Sequence, residues 1–238
     1  MTFRQEIIGD ATLILGDCRE VIGGLQDIDA VVSDPPYGMN WNTDTTRFGG
    51  GHSASVARRG QGRADWGAVS NDDQPFDPKP FLGYNKVILW GANHYASRLP
   101  VGTTLVWIKR LDPAFGSFLS DAELAWMKGG HGVYCKRDLS NAALSGKRDH
   151  PTQKPIGLME WCVQKVSPAN TILDPFMGSG TTGVACLNLG RAFVGVEIEE
   201  RFFDVACRRL EAAVGAPRLF AEPVAKPVNE SMDFGAAA

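Results

Sequence analysis

Short runs of apolar and β-branched residues, separated by polar and turn-forming residues, recur along the chain. They are too short for helices, so we interpret them as buried strands. The predicted strands span residues 12–15, 30–33, 86–91, 103–109, 123–127, 171–174 and 193–197. Apolar residues at helical spacing predict helices between them, at residues 18–25, 93–99, 156–166, 181–189 and 199–212.

The order of these elements predicts the fold class. Strands that alternate with helices form parallel pairs joined by right-handed crossovers. We therefore expect an α/β fold with a mostly parallel, twisted sheet and helices on both faces, in one domain over residues 1–213. Residues 40–75 interrupt this pattern as a long glycine-rich and arginine-rich loop. Residues 214–238 form a Pro/Ala-rich tail, which is predicted to be peripheral or disordered.

The amino-acid composition limits which partners the protein can bind and which cellular compartment it can occupy. The 238 residues carry a formal net charge of −3, so a nucleic-acid partner would have to be bound by local basic patches. The five cysteines are odd in number and form no C-x-x-C pair, which favours a reducing compartment and argues against a structural zinc. The chain shows no apolar signal region and no membrane-length apolar run. We expect an unexported, cytoplasmic protein that binds no metal.

The first candidate site is a motif at residues 34–37, here called the proline motif. Asp34 follows the buried strand 30–33, and Pro35 and Pro36 end that strand because neither can donate to a ladder. Tyr37 lies on the loop just beyond. Ligands bind at the carboxyl ends of strands in open α/β sheets. Taken by itself, the motif equally fits a strand that simply ends in a Pro-Pro turn.

The second candidate site is the glycine loop, residues 175–180, between a strand that ends in Asp174 and a helix. Glycines at this junction allow a ligand to approach the backbone and the helix N-terminus. A phosphate-binding P-loop is excluded because no lysine follows Gly180. Gly178 and Gly180 fit a dinucleotide fingerprint, but Asp174 would repel a pyrophosphate and suits an amine. With Glu197 available for ribose hydroxyls, a ligand with ribose and an amine is indicated, as in S-adenosylmethionine.

Three motifs together carry a family resemblance. Asp-Pro-Pro-Tyr at 34–37, His-Pro-Thr-Gln-Lys-Pro at 150–155 and Asp-Pro-Phe-Met-Gly-Ser-Gly-Thr at 174–181 resemble the S-adenosylmethionine-dependent DNA amino-methyltransferases. The catalytic motif precedes the cofactor motif, which is the order of the permuted β group. The resemblance covers about residues 13–210. It implies a Rossmann-like methyltransferase fold with circularly permuted motifs, S-adenosyl-L-methionine as cofactor and double-stranded DNA as partner.

The resemblance implies roles for the proline motif. The Asp34 carboxylate and the Pro35 carbonyl would accept hydrogens from a base amine, and Pro36 completes the motif. Tyr37 would stack on a base flipped out of the duplex. The transfer needs no covalent enzyme intermediate, so no catalytic cysteine is expected.

The resemblance also implies a cofactor site. Asp174 would meet the methionine amino group, Glu197 the ribose hydroxyls and Ile198 the adenine. Asp17 resembles an acid that contacts the adenine amine, although a helix N-cap explains it equally well. Lys154 would pair with the methionine carboxylate. The full cofactor set comprises Asp17, Thr152, Lys154, Asp174, Pro175, Phe176, Gly178, Ser179, Gly180, Thr181, Glu197 and Ile198.

Two locally basic segments are the candidates for DNA contact. The first is the 40–75 loop, and the second lies within residues 112–149, where the family places target recognition. The candidate residues are Arg47, Arg58, Arg59, Arg63, Lys136, Arg137, Lys147 and Arg148. The second region is short, which bears on how much DNA sequence is recognised.

The proline motif begins with Asp34, and in this family Asp in that position mostly accompanies adenine N6, whereas cytosine N4 enzymes more often have Ser. The sequence therefore predicts a site-specific adenine N6 methyltransferase. Cytosine N4 methylation is the alternative, followed by an inactive DNA-binding homologue and by methylation of RNA or of a protein amide. A homodimer, a restriction endonuclease partner and the recognition sequence are left open.

Overall fold

The computed structural model describes residues 3–40, 70–116, 120–139 and 153–216. Its strands form one sheet in the order β1-β2-β8-β7-β3-β4-β6-β5. They are β1 Arg4–Ile8, β2 Ala11–Leu15, β3 Ala30–Ser33, β4 Lys86–Trp90, β5 Gly102–Ile108, β6 Ala122–Arg137, β7 Thr171–Asp174 and β8 Ala192–Glu197. The α-helices in the described residues are α1 Cys18–Val21, α2 Ile156–Lys165, α3 Thr181–Asn188 and α4 Glu200–Gly215.

The predicted α/β fold is confirmed. The five central strands β2, β8, β7, β3 and β4 run parallel, each paired with the next. Their carboxyl ends therefore share one edge of the sheet, here called the carboxyl edge, where residues 17, 34, 91, 174 and 197 lie at or just beyond the strand ends. Both candidate motifs belong to this edge.

The sheet separates two apolar cores. Successive strand residues point to opposite faces, so Val32 joins one core and Val31 the other. Helices α2, α3 and α4 cover the first face, and their buried side chains include Leu158, Cys186 and Phe203. The second face is covered by α1 and by aromatic residues from the segment before β4. The two faces are thus covered unequally, with three of the four described α-helices on one side.

Three local predictions differ from the structure. Strand β1 was not predicted, because its polar, mostly exposed residues form an antiparallel edge beside β2. The predicted helix 18–25 is the short α1 followed by a 3₁₀ turn, Ile22–Gly24, where two glycines disfavour the α-helix. The predicted helix 93–99 is two 3₁₀ turns, Ala92–His94 and Ala96–Arg98.

Strand β6 is much longer than the predicted strand at 123–127. The chain turns at Gly129 and Gly130, whose φ angles are 83° and 64°. Residues 122–128 pair with β5 in descending order, and residues 133–137 pair with β5 in ascending order, so β5 lies between two arms of β6. The start of the first arm, with Glu123, and the end of the second arm both reach the carboxyl edge beside Ile108.

Parts of the predicted organisation lie outside the described residues: most of the 40–75 loop, part of the 112–149 region, and the tail from residue 217. The single domain over 1–213 stays a prediction, and α4 continues to Gly215, two residues past its predicted end. In the described part of the chain, no helix has the length and apolar character that crossing a membrane requires.

Candidate active site

The two motif strands are neighbours in the sheet. Strand β3 pairs in parallel with β7, with Val31 opposite Leu173. Beyond that pair the Ser33 hydroxyl donates a hydrogen bond of 2.6 Å to Oδ1 of Asp174. The proline motif and the glycine loop, far apart in the sequence, therefore form one site at the carboxyl edge.

Asp174 holds this junction together. Besides the bond from Ser33, its carboxylate accepts hydrogen bonds from the Thr182 hydroxyl at 2.5 Å and from the Phe176 backbone N–H at 3.1 Å. The residue is 3% exposed, and burial raises the pKa of its carboxyl to about 6. Asp174 thus joins β3, the glycine loop and α3, a role that the sequence did not predict. The contact with a ligand amine stays a prediction.

Glu197 ends β8 beside the glycine loop. Its Oε2 accepts from the Gly178 N–H at 2.9 Å and its Oε1 from the Glu199 N–H at 2.8 Å. Each oxygen keeps a further lone pair for a hydroxyl donor. Burial raises the pKa of this carboxyl to about 7. The next residue, Ile198, is 44% exposed and offers an apolar surface. A polar acceptor beside an apolar surface fits a ribose with its attached base.

Helix α4 supports the glycine loop from behind. The Arg209 guanidinium donates to the Ser179 carbonyl at 2.5 Å, to the Ser179 hydroxyl at 2.8 Å and to the Thr181 hydroxyl at 3.0 Å. Gly180 has φ 75° and packs against α4, where a Cβ would lie 2.8 Å from Leu210. Sequence reasoning missed Arg209, because a lone arginine on an amphipathic helix carries no motif.

Phe176 packs into an aromatic cluster. Its ring meets Phe76 and Phe81 edge-on, with centroids 5.8 and 5.9 Å apart. Phe76 in turn meets Tyr95 at 4.9 Å, and Pro175 beside Phe176 is buried. The ring is half-buried, so part of it remains accessible.

Asp17 is a helix N-cap in this structure. Its Oδ1 accepts from the Arg19 N–H at 2.9 Å, and the Arg19 side chain pairs with the carboxylate. The hydrogen bonds from Arg19 lower the pKa of the Asp17 carboxyl. The N-cap alternative is therefore realised, while contact with an adenine amine stays a prediction.

The proline motif is fixed from several sides. The Tyr37 hydroxyl donates to Oδ1 of Asp34. The Tyr37 ring stacks on His94 with centroids 4.9 Å apart and an interplanar angle of 10°. Gly91, with φ 74°, lies so close that a Cβ there would be 2.0 Å from the ring. Neither His94 nor Gly91 was among the predicted site residues, because both follow strand β4 whereas the proline motif follows β3.

Lys154 contacts the proline motif directly. Its ammonium forms ion pairs with Oδ2 of Asp34 and with Oε2 of Glu123, the latter at 3.1 Å. The residue is 7% exposed, and the two carboxylates raise its pKa despite burial. The sequence places Lys154 at the cofactor, whereas in this structure its ammonium lies against Asp34. Thr152 is outside the described residues.

Two of the predicted DNA-contacting residues are described. Lys136 and Arg137 end the second arm of β6 at the carboxyl edge. Arg137 pairs with Asp112 at 2.5 Å, and its guanidinium lies 5.9 Å from the Phe115 ring centroid. The others, Arg47, Arg58, Arg59, Arg63, Lys147 and Arg148, lie outside the described residues.

Comparison with known proteins gives consistent matches. A model of N6/N4 methyltransferases, described as DNA methylase, matches residues 102–208. The putative methylase YubD of Escherichia coli K12 is 27% identical over 206 residues, which cover 84% of this chain and 89% of YubD. The type II methyltransferase M2.DpnII of Streptococcus pneumoniae is 48% identical over 64 residues, or 26% of this chain. That match spans only 24% of M2.DpnII.

Solved structures share the fold. The complex of M1.HpyAVI with S-adenosylmethionine has a TM-score of 0.51 and 22% identity, covering 84% of this chain and 98% of that one. The cytosine-N4-specific PvuII DNA methyltransferase has a TM-score of 0.54 and 12% identity, covering 92% of each chain. These matches confirm the resemblance to S-adenosylmethionine-dependent DNA amino-methyltransferases that the three sequence motifs carry.

Proposed function

We propose that the protein transfers a methyl group from S-adenosylmethionine to the N6 amine of adenine in DNA. The observation that carries the proposal is the hydrogen bond between Ser33 and Asp174, which sets the proline motif directly beside the glycine loop. The names of the relatives support it, since M2.DpnII and M.HinfI of Haemophilus influenzae are type II methyltransferases.

The residues around the glycine loop fit the cofactor. Glu197 would accept from the ribose hydroxyls, and Ile198 would pack on the adenine. Gly178 and the half-buried Phe176 would line the sugar and methionine part. Asp174 has its oxygens engaged by Ser33, Thr182 and Phe176, so a ligand amine would share them. Bound there, S-adenosylmethionine supplies a methyl group on a positively charged sulfur.

The proline motif prepares the nucleophile. The lone pair of an exocyclic base amine is delocalised into the ring, which makes the amine a poor nucleophile. Asp34 and the Pro35 carbonyl would accept its two hydrogens and favour a pyramidal nitrogen. As the nitrogen–methyl bond forms, the carbon–sulfur electrons stay on sulfur, and the nitrogen then releases one proton to the Asp34 carboxylate. Asp34 must be ionised for both tasks.

Tyr37 would provide the stacking surface for the target base. A base inside a duplex hides its amine, so the base must leave the stack before it reacts. The hydrogen bond to Asp34 holds the Tyr37 ring and the acceptor carboxylate in one fixed relation. A base that stacks on Tyr37 would therefore have its amine directed to Asp34.

The choice of adenine over cytosine rests on Asp34 as the first residue of the proline motif. The fold does not separate the two bases, because the PvuII enzyme is specific for cytosine N4 and shares it. Nucleoside analysis of DNA from a host that expresses the protein tests the choice. N6-methyladenine is expected, and N4-methylcytosine alone would refute it.

Labelled-methyl transfer to unmethylated genomic DNA tests the activity itself. Wild-type protein should transfer the label, and Asp34→Asn should lower transfer by roughly 10²-fold or more while cofactor affinity stays unchanged. Asp77→Asn, at an exposed carboxylate just after the 40–75 loop, is the matched control. Equal inactivity of wild type and Asp34→Asn would favour a DNA-binding homologue that lacks catalysis.

Double-stranded DNA is the proposed partner, with contacts from the end of β6 and from the two basic segments. Transfer with RNA or protein as the acceptor would contradict this. Competition between unlabelled DNA and RNA separates the two nucleic acids. A homodimer and a restriction endonuclease partner are further proposals, which sedimentation and co-purification test.

A further inference from the structure

A row of alternating charges runs away from Asp34 along the carboxyl edge. Asp34 pairs with Lys154, Lys154 also pairs with Glu123, and Glu123 pairs with Lys109 at 2.9 Å. The four residues come from the end of β3, the segment before α2, the start of β6 and the residue after β5. Four separate parts of the chain thus converge on one charge network.

Burial, aromatic packing and strand pairing hold this charge network in place. Lys154 is 7% exposed, and its ammonium lies 5.9 Å from the ring centroids of both Trp90 and Trp107. Two carboxylates with one ammonium between them would leave a net negative charge beside the two tryptophan rings. Lys109 compensates for this charge by pairing with Oε1 of Glu123. Trp107 and Glu123 are opposite each other in the β5–β6 ladder, which fixes Glu123 in position.

The charge network affects how the Asp34 carboxylate can accept a hydrogen bond from the target amine. Oδ1 of Asp34 accepts from Tyr37, and Oδ2 is paired with Lys154, so both oxygens are engaged before a base arrives. A base amine would therefore share the Asp34 carboxylate with the Tyr37 hydroxyl and the Lys154 ammonium. Glu123 pairs with the same ammonium at 3.1 Å, so it can take a larger share of Lys154 as the amine binds.

We propose that Glu123 is a positioning residue that shares the Lys154 ammonium with Asp34, so that Asp34 remains an anion yet has an oxygen available for the target amine. The proposal rests on the proposed methyl transfer. It names a second carboxylate, outside the proline motif and the glycine loop, on which the rate of transfer depends.

Glu123 and Lys154 have opposite effects on the pKa of Asp34. A purely structural role of Glu123 would not produce opposite shifts of the pH profile in the two variants. The titratable groups that face Asp34 are Lys154, Tyr37, Glu123, Tyr95 and Asp174. Burial raises the pKa of Asp34, Lys154 lowers it, and Glu123 raises it. Glu123→Gln should therefore move the acid limb of the kcat profile to lower pH, and Lys154→Met should move it to higher pH.

Steady-state methyl transfer measures the effect on rate. Glu123→Gln is expected to lower kcat by about 10- to 100-fold, because Lys154 then binds Asp34 alone and the amine is misplaced. KM for the cofactor should stay within about twofold, since Glu123 is on a different strand from the glycine loop. Glu123→Asp should restore part of kcat. Glu160→Gln, at a half-buried carboxylate on α2 that accepts from Asn188 rather than pairing with Lys154, should match wild type. An unchanged kcat in Glu123→Gln, or acid limbs that move in the same direction, overturns the proposal.

A second measurement does not depend on activity. In protein labelled with ¹⁵N at lysine Nζ, the buried and hydrogen-bonded Lys154 ammonium should give a slowly exchanging signal that Glu123→Gln shifts and Glu160→Gln leaves in place. Lys109→Gln should shift the same signal by a smaller amount. Because this variant retains Glu123, it also serves as the test if Glu123→Gln does not fold. A missing wild-type signal, or one that neither Glu123→Gln nor Lys109→Gln moves, refutes the sharing of Lys154. Wild-type inactivity on every DNA with this signal intact refutes the proposed function instead.

Discussion

Gly91→Ala is the sharpest test of how the Tyr37 ring is held. The added Cβ would lie 2.0, 2.4 and 2.4 Å from three carbons of the ring, whereas carbon atoms in contact are about 3.5–4.0 Å apart. The ring must therefore move by roughly 1.5 Å or the backbone must yield. The φ of 74° adds about 1–2 kcal/mol of strain for an alanine, and overpacking adds about 1–3 kcal/mol.

The consequence for transfer follows from the bond between Tyr37 and Asp34. A reacting group displaced by about 1 Å can lose about 10²-fold in rate, so kcat should fall by that order while cofactor affinity is kept. Gly190→Ala is the matched control, because Gly190 also has a positive φ, 64°, but no neighbour within 4 Å of its Cβ position. Urea unfolding and labelled-methyl transfer are measured on both. If the two variants lose equal stability and equal activity, the close packing of Gly91 on Tyr37 has no role.

Three further predictions concern the cofactor side. Burial raises the pKa of Glu197 to about 7, so cofactor affinity measured by calorimetry should be about tenfold lower at pH 6 than at pH 8, and Glu197→Gln should remove most of this dependence. In the free protein the same raised pKa lowers the unfolding free energy as pH rises from about 4.5 to about 7. Ser33→Ala leaves buried Asp174 with one donor fewer and should cost about 1–3 kcal/mol in urea unfolding, whereas Ser97→Ala on an exposed turn should cost little. Arg209→Met removes the support of Ser179 and Thr181 and should weaken cofactor binding about tenfold, with exposed Arg208→Met as its neighbour control.

The sheet was predictable because its central strands are buried on both faces. Such strands are continuous apolar runs, and β3, β4, β7 and β8 have nearly the predicted bounds. The pattern failed where burial is partial. Strand β1 is exposed and polar, and the second arm of β6 follows two glycines, so neither shows the apolar run on which the prediction depends.

The residues of the candidate site fall into two groups. Some lie within or next to a sequence motif, and others are brought to the motifs only by the fold. Asp34, Tyr37, Asp174 and Glu197 could be found because each follows a strand end in a recognisable sequence context. Glu123, Arg209 and His94 stand in ordinary contexts, and only the sheet order and the packing of α4 bring them to the motifs.

Asp174 shows why a residue can be identified correctly while its contacts are not. The sequence places an unpaired carboxylate at a strand end, and an amine is then the natural ligand for it. In the fold the neighbouring strand brings Ser33 to the same carboxylate, and the helix after the glycine loop brings Thr182. Hydroxyl donors lower the cost of burying the charge, yet burial still dominates and raises the pKa to about 6. Near neutral pH the carboxylate is thus close to its titration range, and a cationic ligand amine beside it would stabilise the ionised form, so binding of such a ligand should release less Asp174-bound proton at pH 8 than at pH 6.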